Sequence, residues 1–112
     1  MFASLLLSAS LAMSSSPPVV LASCEIQKPE LVQQGEADVV TIGRYAVNVR
    51  FTNATNEQIA RVTFALDNGA TVVDVGTFSP GVTINHSLGV DPTDATSCTV
   101  TAVGFVNGAT WN

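Results

Sequence analysis

The chain has 112 residues, of which 46% are hydrophobic and 12% are charged, and its formal net charge is −5. This length permits one domain, with or without a targeting segment, and the apolar fraction excludes a disordered tail. Only four residues are basic, which is too few to form the positive surface that nucleic-acid binding requires.

The first 24 residues carry no charged side chain. An apolar run from Leu5 to Met13 precedes three serines and two prolines, and small or β-branched residues follow up to Ala22. This pattern is typical of a secretory signal peptide, and the paired prolines disfavour the alternative of a transmembrane helix. We therefore predict a signal peptide at residues 1–22 and one mature domain at residues 23–112, in a secreted or periplasmic protein.

Cys24 has two possible fates. The segment 21–24, Leu-Ala-Ser-Cys, is similar to a bacterial lipobox, in which the cysteine is acylated and anchors the chain to a membrane. Cys24 and Cys98 are the two cysteines of the chain, and an even number in an exported protein favours a disulfide. Because one sulfur cannot carry both bonds, we predict a Cys24–Cys98 disulfide, worth about 4 kcal/mol, and keep lipidation as the alternative.

The mature chain is rich in β-branched and aromatic residues, which favour strands. Residues 26–33 predict a first strand, and the break at Pro29 suits a sheet edge. Residues 39–42 predict a short additional strand. At 44–53 and 59–67 apolar and polar residues alternate, as in strands with one buried face. The predicted inward side chains are Tyr45, Val47, Val49 and Phe51 in the first of these strands and Val62, Phe64 and Leu66 in the second.

Two Asn-Gly pairs predict tight hairpins. A type I′ turn at Asn68-Gly69 would place Leu66 opposite Thr71, Phe64 opposite Val73 and Val62 opposite Val75. In that register Asp74 points outward to solvent. The same counting at Asn107-Gly108 places Trp111 opposite Gly104, where the ring would cover the glycine.

The remaining chain also predicts strands and turns. Ser79-Pro80-Gly81 suits a type II turn. A strand at 82–88 turns Val82, Ile84 and Leu88 inward, a polar loop spans 91–96, and a last long strand spans 97–106 with Cys98, Val100 and Ala102 on one side. About seven short strands in 90 residues predict an all-β fold, an immunoglobulin-like antiparallel β-sandwich.

Several of these segments carry a resemblance. Residues 75–86, Cys98-Thr99-Val100, 105–108 and Trp111 resemble small exported bacterial proteins of unknown function, which are predicted to be immunoglobulin-like or fibronectin-III-like sandwiches. The resemblance covers the last two-thirds of the chain. It implies a fold and an exported location, and it implies no catalytic residue.

Candidate chemistry is sparse. His86 is the single histidine and shares a face with Val82, Ile84 and Leu88. We interpret it as a core-edge residue whose ring bonds to backbone or water, with a metal ligand or a general base as the alternative. A Cys–His pair would need Cys98 as a free thiol. Asp91 and Asp94 suit a turn, with a weak Ca²⁺ site as the alternative. We predict no enzyme activity, no cofactor and no metal site.

Three arginines form the candidate surface patch. Arg44, Arg50 and Arg61 fall on the outward faces of the two best strands and could bind an acidic partner or a polysaccharide. The alternative is a solvated face that discourages edge-to-edge aggregation. Two sequons, at Asn53 and Asn85, carry no meaning in a bacterial chain and would indicate exposed positions only in a eukaryotic secretory pathway.

The sequence thus predicts a non-enzymatic exported β-sandwich, a structural or binding module of the cell envelope or extracellular space. Its partner would be an envelope protein or a polysaccharide, with membrane contact only if Cys24 is lipidated. The alternatives are a lipoprotein anchored through Cys24, acting as an envelope inhibitor or accessory subunit, and a small hydrolase.

Overall fold

A computed structural model describes residues 16–112 of the chain. This part consists of strands, turns and irregular segments, and it contains no helix that could cross a membrane. The strands are β1 (Val19–Gln27), β2 (Glu30–Gln33), β3 (Val39–Ile42), β4 (Ala46–Asn53), β5 (Ile59–Leu66), β6 (Thr71–Phe78), β7 (Thr83–Gly89), β8 (Cys98–Phe105) and β9 (Thr110–Trp111).

Seven of the strands form two antiparallel sheets that pack face to face. The three-stranded sheet has the order β1-β4-β7 and the four-stranded sheet has the order β6-β5-β8-β9. β2 and β3 pair only with each other and form a separate hairpin. The predicted all-β sandwich is confirmed, as are the break at Pro29 and the short strand at 39–42.

The core lies between the inward rows of the two sheets. Val47, Val49 and Phe51 of β4 are buried, as are Val62, Phe64 and Leu66 of β5, so both predicted alternations are confirmed. Tyr45 precedes β4 and is only half-buried. The Phe51 and Phe64 rings meet across the sheets with centroids 5.7 Å apart, a separation typical of favourable aromatic pairs.

A disulfide joins the two sheets. Cys24 of β1 is bonded to Cys98 of β8, and their Cα atoms are 5.9 Å apart, within the usual range for disulfides. β1 begins at Val19, seven residues before the predicted start of the first strand. A register shift between Leu21 and Ser23 lets Leu21 and Cys24 both face the core, opposite Phe51 and Val49.

The predicted register of the β5–β6 hairpin is wrong by one residue. Gly69 N–H donates to the Leu66 carbonyl at 3.0 Å and Leu66 N–H donates to the Ala70 carbonyl at 2.8 Å. Gly69 has φ +92° while Asn68 has no positive φ. This geometry is a three-residue turn with a glycine bulge, not a type I′ turn.

One extra turn residue reverses the faces of the whole of β6, since side chains alternate with period two. Val62 pairs with Asp74 and Thr63 pairs with Val73. Asp74 is therefore buried at 4% exposure, whereas Val75 is 74% exposed. The prediction that Asp74 points to solvent is wrong.

The hairpin at Asn107-Gly108 departs from its predicted register in the same way. Gly108 N–H donates to the Phe105 carbonyl and Gly108 has φ +93°, so this turn also has three residues. Trp111 pairs with Val103 instead of Gly104. Gly104 is covered by Arg61 instead. A Cβ placed on Gly104 would lie 2.8 Å from Arg61 Cζ.

The predictions for β7 and β8 need smaller corrections. A register shift in β8 pairs Phe64 with Val100 but Thr63 with Ala102, so Cys98 and Val100 face the core while Ala102 lies in the outward row. Ile84 and Leu88 of β7 pack on the core as predicted, but Val82 precedes β7 and is 42% exposed. The type II turn is supported by Val82 N–H donating to the Ser79 carbonyl and by Gly81 at φ +77°.

Asn53 is a fully buried polar residue at the end of β4. Its Nδ2 donates to the Glu57 and Phe78 carbonyls at 2.8 and 2.9 Å, and its Oδ1 accepts hydrogen bonds from Thr55 N and Oγ1. The side chain thus ties β4 to the following loop and to the end of β6. The sequon at Asn53 therefore lies at a buried position.

We expect Asn53→Ala to lower the free energy of unfolding by about 3 kcal/mol, because the buried Phe78 carbonyl, the partly buried Glu57 carbonyl and a loop lose their partner. Chemical denaturation of the disulfide-bonded protein measures the change. Asn85→Ala, at an exposed position of β7, is the matched control and should change stability by no more than about 0.5 kcal/mol. A loss for Asn53→Ala as small as that of the control would contradict the role of this network.

Candidate functional site

One side of the sandwich is open between two edge strands. β6 is the edge of the four-stranded sheet and β7 is the edge of the three-stranded sheet. We call the line along which these two strands face each other the seam. The single histidine of the chain lies on this seam. So does Asp74, the one buried carboxylate among residues 16–112.

A short hydrogen bond bridges the seam. His86 Nδ1 lies 2.6 Å from Asp74 Oδ2, and the side chains are 44% and 6% exposed. Because Asp74 is directed inward by the three-residue turn, its carboxylate would lack water, and the imidazole supplies the polar partner that burial requires. The bond therefore connects the edges of the two sheets.

His86 also belongs to an aromatic row. Its ring meets Phe78 at a centroid distance of 6.1 Å, Phe78 meets Phe51 at 5.4 Å, and both contacts are edge-to-face. His86 is thus placed at the edge of the core, but its partner is a carboxylate and not the backbone or water that we expected. The sequence did not indicate this partner, because the register predicted for the β5–β6 hairpin turned Asp74 outward.

A groove of about 690 Å³ opens at one end of the seam. The β5–β6 turn, the start of β6, the segment after β7 and the residues before β4 form its walls. The polar side chains of its lining are Arg44, Tyr45, Asn68, Thr71, Asp91 and Thr93. Leu66, Val72 and Val90 belong to the same lining and pack on the core, so the polar groups stand on an apolar base.

The wall of the groove is held by hydrogen bonds between the β5–β6 turn and the loop before β8. Asn68 Nδ2 donates to Thr93 Oγ1 at 3.0 Å and to Asp94 Oδ1 at 3.1 Å. Asp67 Oδ1 accepts from Thr96 N at 2.9 Å and its Oδ2 accepts from Thr96 Oγ1 at 2.5 Å. These bonds from Thr96 stabilise the ionised form and hold the pKa of Asp67 below its usual value.

The acidic loop is organised as a turn. Asp94 accepts the bond from Asn68, and Ala95 N–H donates to Thr93 Oγ1 while Ala95 itself is buried. Within residues 16–112, no group of three or more His, Cys, Asp or Glu side chains is arranged to hold a metal ion. The loop therefore offers two carboxylates without a third ligand of that kind.

The three arginines of the predicted patch are not brought together. Arg44 and Arg50 lie on the outer side of the three-stranded sheet, where Arg44 Nη2 contacts Ser87 O and Oγ at 3.5 and 3.4 Å. Arg61 belongs to β5 and lies on the outer side of the other sheet, over Gly104. Since β4 and β5 are in different sheets, the patch is divided between opposite faces, and only Arg44 lines the groove.

Both cysteine sulfurs of the chain take part in the disulfide, which leaves no free thiol. A Cys–His pair with His86 is therefore not available in this structure. Comparison of the chain with protein-family models, with curated proteins and with solved structures finds no match.

We expect His86→Ala to lower the free energy of unfolding by about 2 kcal/mol, because the buried Asp74 carboxylate loses its charge-assisted hydrogen bond. The double variant His86→Ala/Asp74→Ala is the matched comparison. It should lose less than the sum of the two single variants, because it leaves no uncompensated buried group. Urea denaturation of the four proteins measures the coupling, and strictly additive losses would show that the pair is not coupled.

The Asp67–Thr96 contact predicts a pH effect. A carboxyl whose pKa is lowered by folding contributes stability above its unfolded pKa of about 3.9, and that contribution is lost as the pH falls through the folded pKa. We expect Thr96→Val to raise the pKa of Asp67 toward the usual value, as measured by NMR titration of the carboxyl carbon. Thr99→Val, at an exposed position of β8, is the control and should leave that titration unchanged; an equal shift in both variants would argue against the contact.

Proposed function

We propose that the chain is a non-enzymatic exported β-sandwich that serves as a structural or binding module of the cell envelope or extracellular space. The observation that carries this proposal is the groove at the end of the seam. A cavity of this size falls within the usual range of small-ligand and peptide sites, which combine an apolar base with a few polar groups.

The chemistry of the groove supports a polar partner. Arg44, Tyr45 and Thr93 supply hydrogen-bond donors, and Asp91 supplies an acceptor. The hydrogen bonds that dock the β5–β6 turn on the loop before β8 fix one wall in advance, which lowers the ordering cost of binding. We propose an envelope protein or a polysaccharide as the partner, bound through the groove.

The order of strands supports an immunoglobulin-like assignment. The order β1-β4-β7 corresponds to strands A, B and E of that fold, and β6-β5-β8-β9 corresponds to C′, C, F and G. The β2–β3 hairpin is then an insertion between A and B. We propose that the domain is of this type, as the resemblance to small exported bacterial proteins implies.

An exported location is supported by the disulfide. Disulfides persist in oxidising compartments and are rare in the cytosol of most cells. The bond between Cys24 and Cys98 also weighs against a lipoprotein, because Cys24 has no second sulfur valence for an acyl-bearing thioether. We therefore propose a secreted or periplasmic protein without a lipid anchor.

A small hydrolase is the second candidate. The His86–Asp74 pair has the relation of a general base to its orienting carboxylate. The same bond also satisfies a buried acid at the edge of the core, and the Phe78 ring packs on His86. We favour the binding module because the structural role of the His86–Asp74 pair accounts for the bond without any further catalytic group.

We expect the double variant Arg44→Ala/Asp91→Ala to reduce retention on the partner about tenfold, which corresponds to about 1.4 kcal/mol of binding. Cell-wall polysaccharide and solubilised envelope protein from the producing organism, each fixed to beads, are the two probes. The measurement is the bound fraction of the purified disulfide-bonded protein across a concentration series.

Arg50→Ala is the control, because Arg50 lies outside the groove on the outer side of the three-stranded sheet. It should bind like the unaltered chain. Loss of binding in Arg50→Ala with retention in the double variant would move the site from the groove to that outer face. Turnover of ester, peptide or glycoside substrates that disappears in a folded His86→Ala variant would favour the hydrolase.

A further inference from the structure

The two Asn-Gly pairs, at 68–69 and 107–108, lie in turns of the same geometry. Gly69 and Gly108 have φ values of +92° and +93°, and each donates its N–H at 3.0 Å to the carbonyl three residues earlier. In each turn the asparagine Oδ1 accepts a hydrogen bond from the N–H two residues later, at 3.1 Å for Asn68 and 2.9 Å for Asn107. Both asparagines are exposed, so the turns form a matched pair.

An Asn-Gly pair can undergo deamidation within the chain. Glycine has no side chain to hinder the approach of its main-chain nitrogen to the amide of the preceding asparagine. The nitrogen loses its proton and bonds to the asparagine Cγ, the Cγ–Nδ2 bond breaks, and Nδ2 takes up that proton and leaves as ammonia. Water then opens the cyclic imide, giving its hydroxyl to one imide carbonyl carbon and its proton to the glycine nitrogen. The product is aspartate if Cγ takes the hydroxyl and isoaspartate if the main-chain carbon takes it.

The hydrogen bond to Oδ1 prepares both sites for this attack. It folds the side chain back along the main chain towards the glycine, and it polarises the carbonyl on which negative charge develops. Because Asn68 and Asn107 both accept such a bond, this contact does not distinguish the two sites.

The surroundings of the leaving nitrogen do distinguish them. Asn68 Nδ2 donates to Thr93 Oγ1 at 3.0 Å and to Asp94 Oδ1 at 3.1 Å. To leave, Nδ2 must lose its conjugation with the carbonyl and accept a proton, and donated hydrogen bonds oppose both changes because they favour the planar amide. Asn107 Nδ2 has no hydrogen-bond partner within residues 16–112, so nothing there holds the amide in place.

We propose that Asn107 deamidates in the folded protein, whereas the bonds to Thr93 and Asp94 protect Asn68. The proposal requires neither export nor a partner. Protection matters at Asn68 because its side chain holds the wall of the groove. An aspartate at this position would turn a carboxylate instead of an amide towards Asp94, and the like charges would repel. The same two bonds therefore build the wall and preserve it.

Deamidation at Asn107 affects the last strand. β9 has only two residues, which pair with Val103 and Gly104 of β8, and its Trp111 packs on the core. Isoaspartate carries the main chain through its side-chain carbon, so the turn gains a methylene group and no longer matches β9 to β8. We expect β9 to detach and Trp111 to move into water.

Peptide mapping by mass spectrometry tests the proposal, because it detects the replacement of NH₂ by OH at each asparagine. The purified disulfide-bonded protein is incubated in mildly alkaline buffer, and the reduced chain unfolded in urea is the reference. The ratio of the Asn107 rate to the Asn68 rate should be about tenfold larger in the folded protein, equivalent to about 1.4 kcal/mol of activation free energy. The same ratio in both states, or an unreactive Asn107 in the folded protein, would overturn the proposal.

Asp94→Ala tests the protection directly. It should raise the rate at Asn68 about threefold, since one of the two bonds to Nδ2 is lost, and leave the rate at Asn107 unchanged. Asp91→Ala, in the same loop but without a bond to Asn68, is the matched control and should change neither rate. Equal rates at Asn68 in the two variants would contradict the protection.

Asn107→Gln tests the effect on β9, because the longer side chain closes the corresponding ring far more slowly. Trp111 is the single tryptophan, so its emission reports on β9 alone. Prolonged incubation should shift this emission to longer wavelength in the unaltered protein and leave it constant in Asn107→Gln. Unshifted emission in protein that carries isoaspartate at position 107 would contradict the release of β9.

Discussion

Each strand of the sandwich must keep one row of apolar side chains against the opposite sheet, and the rest of the structure depends on this constraint. Burial of these rows supplies the main favourable free energy of a domain this small. The irregularities of the strands preserve the rows. The register shift at Ala22 lets Leu21 and Cys24 face inward together, and the shift in β8 returns Val103 to the core after Val100.

Asp74 is the exception to these apolar rows, and its contact with His86 joins the two sheets at the seam. The three-residue turn that ends in Gly69 sets the face of β6, and this face turns one carboxylate inward. Only a partner from the other sheet can satisfy it, and His86 of β7 is that partner. An inward charge also discourages a free sheet edge from pairing with another chain, so one residue both closes the seam and protects it. The groove lies beyond this bridge, where the two edges separate.

The amino-terminal strand shows how the same constraint affects the boundary of the domain. A signal pattern is read from local composition, and composition favours a boundary at Ala22. Core packing is a property of the whole sandwich, and it requires Val19 and Leu21 beside β4. The disulfide fixes the later half of β1 to β8, while the earlier half depends on ladder pairing and burial alone.

The sequence by itself predicted most of the strands, the alternation within β4 and β5 and the positions of the turns, and it favoured the pairing of Cys24 with Cys98 over lipidation. These features are local, or they follow from having only two cysteines. The sequence assigned the first part of β1 to a leader. The tertiary structure decided which faces met: Asp74 turned inward to His86, Asn53 became a buried junction, and Arg61 was separated from Arg44 and Arg50. The physical reason is that a period of two defines two faces of a strand without saying which is inside, and one residue in a turn reverses the choice.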